Sequence, residues 1–378
     1  MRLVVRGVLM IAFAGSFFAG IPSHAQDVHA GRADAVFVMT NSAERNEIIS
    51  FRRHEDGSLE RHATFATGGR GTGGVTDPLE AQGSLTLSQD HSLLFAVNGG
   101  SGELSVFRVL GTGLVLVDKE TTGGGEPNAI AQHGNLVYVL NVGGSSNVVG
   151  FNLIAGGKLK RIADSVRFLT INNSEAASLA FSPDGRFLLV TERATNNIDT
   201  FLVQLDGTLS PIVVNTSSAP GVFSVVFAPN GTAIVSETGP AGGNNASTVS
   251  SYAVQKDGTI SAISTGVAAL GNANCWNVVT PSGRFVYTSN AGSSTISGFA
   301  ISSTGSLTPI GATVVGFNPA GSTNLDIAVS GDGRFLYSLN SGTGAIGIFG
   351  IQQDGSLTSV GRVEGLPANA GFNGIAAF

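Results

Sequence analysis

Phe181–Phe201 reads FSPDGRFLLVTERATNNIDTF. An apolar stretch meets a Ser-Pro-Asp-Gly turn, and a second apolar stretch follows, ending on a polar residue. After another turn comes a third stretch, in which polar and apolar residues alternate. Alternation at period two is the mark of a half-buried strand, so the segment predicts three consecutive antiparallel strands. Positions equivalent to the turn glycine Gly185 are His91, Gly134, Gly231, Gly283 and Gly333, a repeat of roughly fifty residues. The second stretch recurs as FAVN (95–98), YVLN (138–141), IVSE (234–237), YTSN (287–290) and YSLN (337–340). The third carries one aromatic at a fixed place: Phe107, Phe151, Phe201, Tyr252, Phe299 and Phe349. Asp-Gly pairs at 206–207, 257–258 and 354–355 suit the hairpin to a fourth, outer strand. Such units, four strands each, predict the blades of an all-β propeller.

The N-terminal unit begins in its middle. VFVMTN (36–41) reads as a second strand, 47–53 with Phe51 as a third, and 58–66 as a fourth. FNGIAAF (372–378) reads as a first strand with nothing after it. Joining the two completes a seventh blade, closes the ring and leaves no free sheet edge.

Residues 1–25 read as a secretory signal: Arg2 and Arg6, an apolar run over 7–21, then Ser23-His24-Ala25 before the cleavage point. Residues 26–34 are a short lead-in, and 35–378 form a single domain. The expected location is therefore periplasmic or extracellular, with no membrane attachment once the signal is removed. The chain carries one cysteine, Cys275, so no internal disulfide is expected, and the thiol is read as a small buried residue. A net charge of −6 without a basic cluster argues against nucleic acid. No cofactor or metal ligand set is read, and a monomer is expected. Two glycine-rich stretches, 68–83 and 239–246, read either as plain connections or as loops that reach over a pocket. Neither is a phosphate loop, since no Lys-Ser/Thr follows.

At 87–107, 182–201 and 280–299 the chain resembles the seven-bladed lactonase family, which includes 6-phosphogluconolactonase-like and carboxymuconate-lactonising enzymes. The resemblance covers 35–378. It implies a site where the central channel opens on the face at which first strands begin and second strands end. The family's two histidine motifs are replaced here by Glu126-Pro127-Asn128 and Ala176-Ala177-Ser178. Its Asn-Glu-Leu becomes Thr191-Glu192-Arg193, and its Ser-Asn-Arg becomes Ser289-Asn290-Ala291.

Opening a lactone needs a base for water and a donor for the carbonyl oxygen. The residues expected to serve are Glu192 as base and Arg193 as its cationic companion. Asn128, Asn141, Glu237, Trp276, Asn290 and Asp326 are expected to contact substrate. Glu192 and Glu237, on adjacent blades, could couple to raise one pKa or together hold a hard cation, or could simply end strands at a solvated face. Trp276 is expected either to stack on a ring or to plug the channel. The recurring asparagines at 41, 98, 141, 290 and 340 suggest a structural duty. No histidine after the signal falls at the expected opening unless the lead-in brings His29 there. The expected ligand is a small lactone or carbohydrate; the other reading is a non-catalytic propeller that binds a glycan, peptide or protein.

Overall fold

A computed structural model describes residues 34–240 and 243–378. The signal and most of the lead-in, His29 included, lie outside the described residues. So do residues 241–242 of the second glycine-rich loop. Among the described residues no helix is long and apolar enough to cross a membrane, and the helical content is one short turn, Ala155–Gly157.

Seven antiparallel sheets form the ring. Blade four shows the plan: Ala176–Phe181 lies innermost, followed outward by Phe187–Glu192, Asn197–Leu202 and Val213–Thr216. The expected strands of the N-terminal unit are observed as Ala35–Met39, Glu47–Arg53 and Leu59–Ala66. Their missing inner strand is Ile375–Ala377, paired so that Val36 faces Ala377 and Val38 faces Ile375. This composite sheet is blade one, and the others follow in chain order.

The first turn forms for the reason its residues suggest. Ser182 Oγ donates to Asp184 (2.6 Å) and accepts from the Phe187 amide (3.0 Å), while its carbonyl takes the Gly185 amide (2.8 Å). Ser330 and Ser88 repeat the arrangement. His91 holds the left-handed backbone (φ +55°) that Gly185 holds at +70°.

The fixed aromatics, Phe51 included, are at most 3% exposed and pack one blade on the next, which ties the sequence period to the core. Burying each contributes about 1.5–3 kcal/mol. Tyrosines on second strands add a latch between neighbours. The hydroxyls of Tyr138, Tyr287 and Tyr337 donate to the carbonyls of Gly207, Gly355 and Gly57, each in the following blade's Asp-Gly hairpin. The Tyr337 bond crosses the ring closure, where Arg53 also pairs with Asp332 at 3.1 Å.

Candidate functional site

The upper face is the one where first strands begin and second strands end. In blades three to seven the first strand is bulged at that end: the register shifts between Pro127 and Ala129, Ala176 and Ser178, Val222 and Val225, Asn274 and Trp276, and Asn324 and Ile327. A bulge bends its strand and re-aims a side chain, and bulges cluster next to sites. Here they set Asn128, Ala177, Phe223, Cys275 and Asp326 around the axis. Most of that ring is apolar, and it merges with Trp276 and Leu325 into one cluster.

The first glycine-rich loop crosses this end of the axis as a strap. It leaves blade one under Asn41, whose carboxamide bonds Thr72; a Cβ on Gly71 would fall 2.2 Å from the Asn41 carbonyl carbon, so glycine is required there. The strap then reaches blade four, where the Gln82 amide donates to the Ala177 carbonyl (2.8 Å). It also reaches blade six. Gln82 makes two side-chain bonds to the Asn277 backbone, both 2.8 Å, and Trp276 Nε1 donates to the Ala81 carbonyl (3.0 Å). Of the two sequence readings of 68–83, the structure shows the loop that reaches over a pocket.

Beside the strap lies a cavity of about 200 Å³, lined by Leu79, Glu80, Glu126, Asn128, Glu175 and Arg193, among others. Arg193 lies 5.5 Å over the Phe223 ring, an arrangement that favours a cation. It pairs with Glu80 and stands 3.9 Å from Glu175. Asn128 donates to the Ala176 carbonyl (2.9 Å), and its carboxamide oxygen has no partner. Just inside the strap, burial and the neighbouring Glu80 raise Asp77 to about 7. On the innermost strand of blade seven, burial raises Asp326 to about 7 as well.

Glu192 is not in that cavity. It is fully buried between blades, and its carboxylate accepts from the Thr170 amide (2.7 Å), the Thr170 hydroxyl and the Thr195 hydroxyl (2.6 Å). Glu237 is enclosed in the same way by Ser217 (2.8 Å), Thr248 (2.6 Å) and Ser250 (2.9 Å). Thr170 and Ser217 belong to the connections arriving from the preceding blades. Asn98 accepts from Thr67 (2.6 Å) and Asn340 donates to Asn318 (3.0 Å), again residues of arriving connections. The strand-end position is thus an interblade clasp. A carboxylate enclosed by three donors cannot reach water, so the expectation of Glu192 and Glu237 at a shared opening is corrected.

Asn141 and Asn290 are buried too, and bond Asn147 (3.1 Å) and Ser297 (2.8 Å) of their own third strands. Trp276 is wholly buried against Phe223 (5.1 Å) and beneath the strap, so it plugs the axis and has no free face for a ring. Asn128 and Arg193 therefore meet at the mouth, and Asp326 lines a separate cavity on the lower side. The mouth also holds Glu80, Glu126 and Glu175, which sequence reasoning missed as site residues. The available signal was their place: Glu175 just before a first strand, Glu126 at the start of one, and Glu80 in the glycine-rich loop. Cys275 is buried, as expected, and burial pushes its thiol well up.

No family model and no curated protein matches the chain. Solved structures do. A "putative 6-phosphogluconolactonase" from Bacteroides uniformis is 20% identical, with 92% of this chain and 99% of that one covered and a TM-score of 0.69. The periplasmic gluconolactonase of Pseudomonas aeruginosa is 18% identical, with 90% and 98% covered and a TM-score of 0.66. Hydrazine synthase of Kuenenia stuttgartiensis is also similar, at 16% identity, 77% and 88% covered and a TM-score of 0.57. At these identities the likeness carries the fold alone, a seven-bladed propeller. One fold hosts several chemistries.

Proposed function

We propose that the upper mouth binds and opens a small neutral lactone, and that the protein works outside the cytoplasm. The observation that carries this reading is Arg193, held over Phe223 beside a half-exposed Glu175 and the unpaired oxygen of Asn128. Arg193 stabilises the charge that develops on the lactone carbonyl oxygen. Glu175 takes a proton from water as the water oxygen bonds to the acyl carbon. The ring C–O bond breaks, and the departing alkoxide takes that proton back from Glu175, giving the hydroxy acid. Asn128 accepts a hydroxyl of the substrate. Ligand pockets usually run about 300–1,000 Å³, so a cavity of about 200 Å³ suits a single ring. Three carboxylates and one already paired guanidinium line it, which disfavours a phosphorylated lactone. The N-terminal signal pattern and the likeness to a periplasmic gluconolactonase support export.

The test is acid release from glucono-δ-lactone and from its 6-phosphate by the mature chain. Turnover of the neutral lactone, with kcat/KM lowered about 100-fold in Arg193→Ala and in Glu175→Gln, is the expected result. One observation favours a second reading: the strap is pinned across the axis and leaves a shallow mouth. Saturable binding of a glycan or peptide with no turnover of any lactone would select that non-catalytic propeller.

A further inference from the structure

Below the strap the axis opens again. A cavity of about 430 Å³ runs from the lower face, where Ser88, Gln89 and His91 stand at its rim. Its wall is made of first strands from blades one, two, five, six and seven, and Gln82 of the strap lies at its inner end. The wall is mostly apolar, with Val226, Ile327 and Ile375 among its members. Beside Thr86, whose hydroxyl donates to the Gly83 carbonyl (3.1 Å), two polar side chains without a side-chain partner interrupt it.

The first is Asp326, 3% exposed. Its oxygens accept only backbone amides, from Ile327 (2.9 Å) and Ile375 (3.2 Å), and it enters no ion pair among the described residues. Each oxygen keeps a lone pair for another donor. The second is Asn277, 1% exposed, whose carboxamide nitrogen and oxygen both lack a partner although its backbone is clamped by Gln82. Buried polar groups are normally bonded, so an unsatisfied carboxamide beside an uncompensated carboxyl calls for a ligand.

The charges around Asp326 point to the ligand's sign. On the strap side stand Asp77 and Glu80, both acidic, and the Arg193 guanidinium beyond them is engaged by Glu80. His91 sits at the far rim against Phe378. Among the described residues nothing cationic touches the carboxyl. A divalent ion fits poorly, since hard cations need about six oxygens, and no cluster of three ligating side chains occurs among the described residues. An ammonium group brings one charge and three donors, with Asp326 and the Asn277 oxygen as its acceptors.

We propose that the lower half of the channel is a ligand site separate from the upper mouth, and that it takes a small primary amine in its ammonium form, seated between Asp326 and Asn277. The ammonium favours an ionised Asp326, while burial, opposed by the Ile375 and Ile327 amides, holds the free carboxyl at about 7. Binding below that pH therefore expels a proton, and affinity falls about tenfold for each pH unit below 7 and levels off above it.

The test is calorimetric titration of the whole mature chain with ethanolamine, and with ethylene glycol as its neutral counterpart, in buffers of different ionisation enthalpy. Expected results are ethanolamine binding with nearly one proton released at pH 6 and none at pH 8.5, and glycol binding at least tenfold weaker. Asp326→Asn weakens the amine tenfold or more and abolishes proton release. The pH series on the unaltered chain needs no variant to fold. Glu175→Gln, at the other end of the axis, leaves ethanolamine affinity within twofold. Equal binding of glycol, binding without proton release at pH 6, loss in Glu175→Gln, or no heat with ethanolamine up to about 50 mM would each overturn the proposal.

Discussion

Blades four and five solve the same problem with different residues. Each closes its second strand on a buried glutamate that takes hydrogen bonds from the connection arriving from the blade before. In blade five the residue two before the fixed aromatic is Ser250, whose hydroxyl donates to Glu237 at 2.9 Å. Ser105 and Ser297 hold the same place in blades two and six and bond the local asparagine. Blade four has Asp199 there. It is completely buried, its oxygens have no other donor, and burial together with Glu192 raises it to about 9. A protonated Asp199 does for Glu192 what a serine hydroxyl does for Glu237. In blade five this position supplies a donor to the glutamate, in blades two and six it accepts from the asparagine, and in blade four an acid fills it only by keeping its proton.

The largest loss is expected at Glu237. Glu237→Ala leaves Ser217, Thr248 and Ser250 without their acceptor, and a loss of about 3 kcal/mol is expected in the urea midpoint with m unchanged. Ser250→Asp copies blade four into blade five. It should lower stability at pH 8 by about 2 kcal/mol and much less at pH 4, because the new acid must hold a proton to fit.

The reverse change, Asp199→Ser, should do the opposite. A carboxyl raised from 3.8 to about 9 costs the folded state nothing below pH 4. Above that the unfolded chain releases the proton while the fold retains it, so stability falls progressively until pH reaches about 9. The serine variant should therefore gain on the parent by about 1.4 kcal/mol per pH unit between pH 4 and 9 and lose that advantage below pH 4, as read from thermal melts across the range. The smallest effect is expected for Glu192→Gln. Its carbonyl oxygen still accepts from the Thr170 amide, and its NH2 can donate to the Thr170 and Thr195 hydroxyls, which turn to accept, so stability at pH 7 should shift by less than about 1 kcal/mol and lactone turnover should stay within about twofold. A hundredfold loss of turnover with intact folding would return Glu192 to the chemistry.

The ring was legible because its signals are local and repeated. The Ser-Pro-Asp-Gly turn, its equivalents and the fixed aromatics each lie within a hairpin or a strand, and counting strands per repeat then exposes the split of blade one between 35–66 and 372–378. The site was less legible because its key contacts are distant. Nothing in GGRGTGGVTDPLEAQG says that Gln82 will meet Asn277, 195 positions away. Glu192 was misplaced for a related reason. Alternation says which side of a strand a residue takes, but not that the preceding connection will fold over its end. A serine or threonine some twenty residues upstream, Thr170 or Ser217, was the available sign. Asn128 and Asp326 were placed near the axis correctly because the order of strands within a blade alone puts first strands there.

The closing sheet has a kinetic meaning. Six blades are built from neighbours in sequence and can form with little search. The seventh waits for Val36 to find Ala377, about 340 positions along the chain. Bringing such distant segments together carries an entropic penalty of about 5 kcal/mol by the logarithmic rule, repaid only when the three-residue strand, the Tyr337 latch and the Arg53–Asp332 pair engage together. Folding of this molecule should thus have a fast, local phase and a late step of ring closure, during which the edge of Ala35–Met39 and its partner strand Ile375–Ala377 are exposed to pairing with other chains.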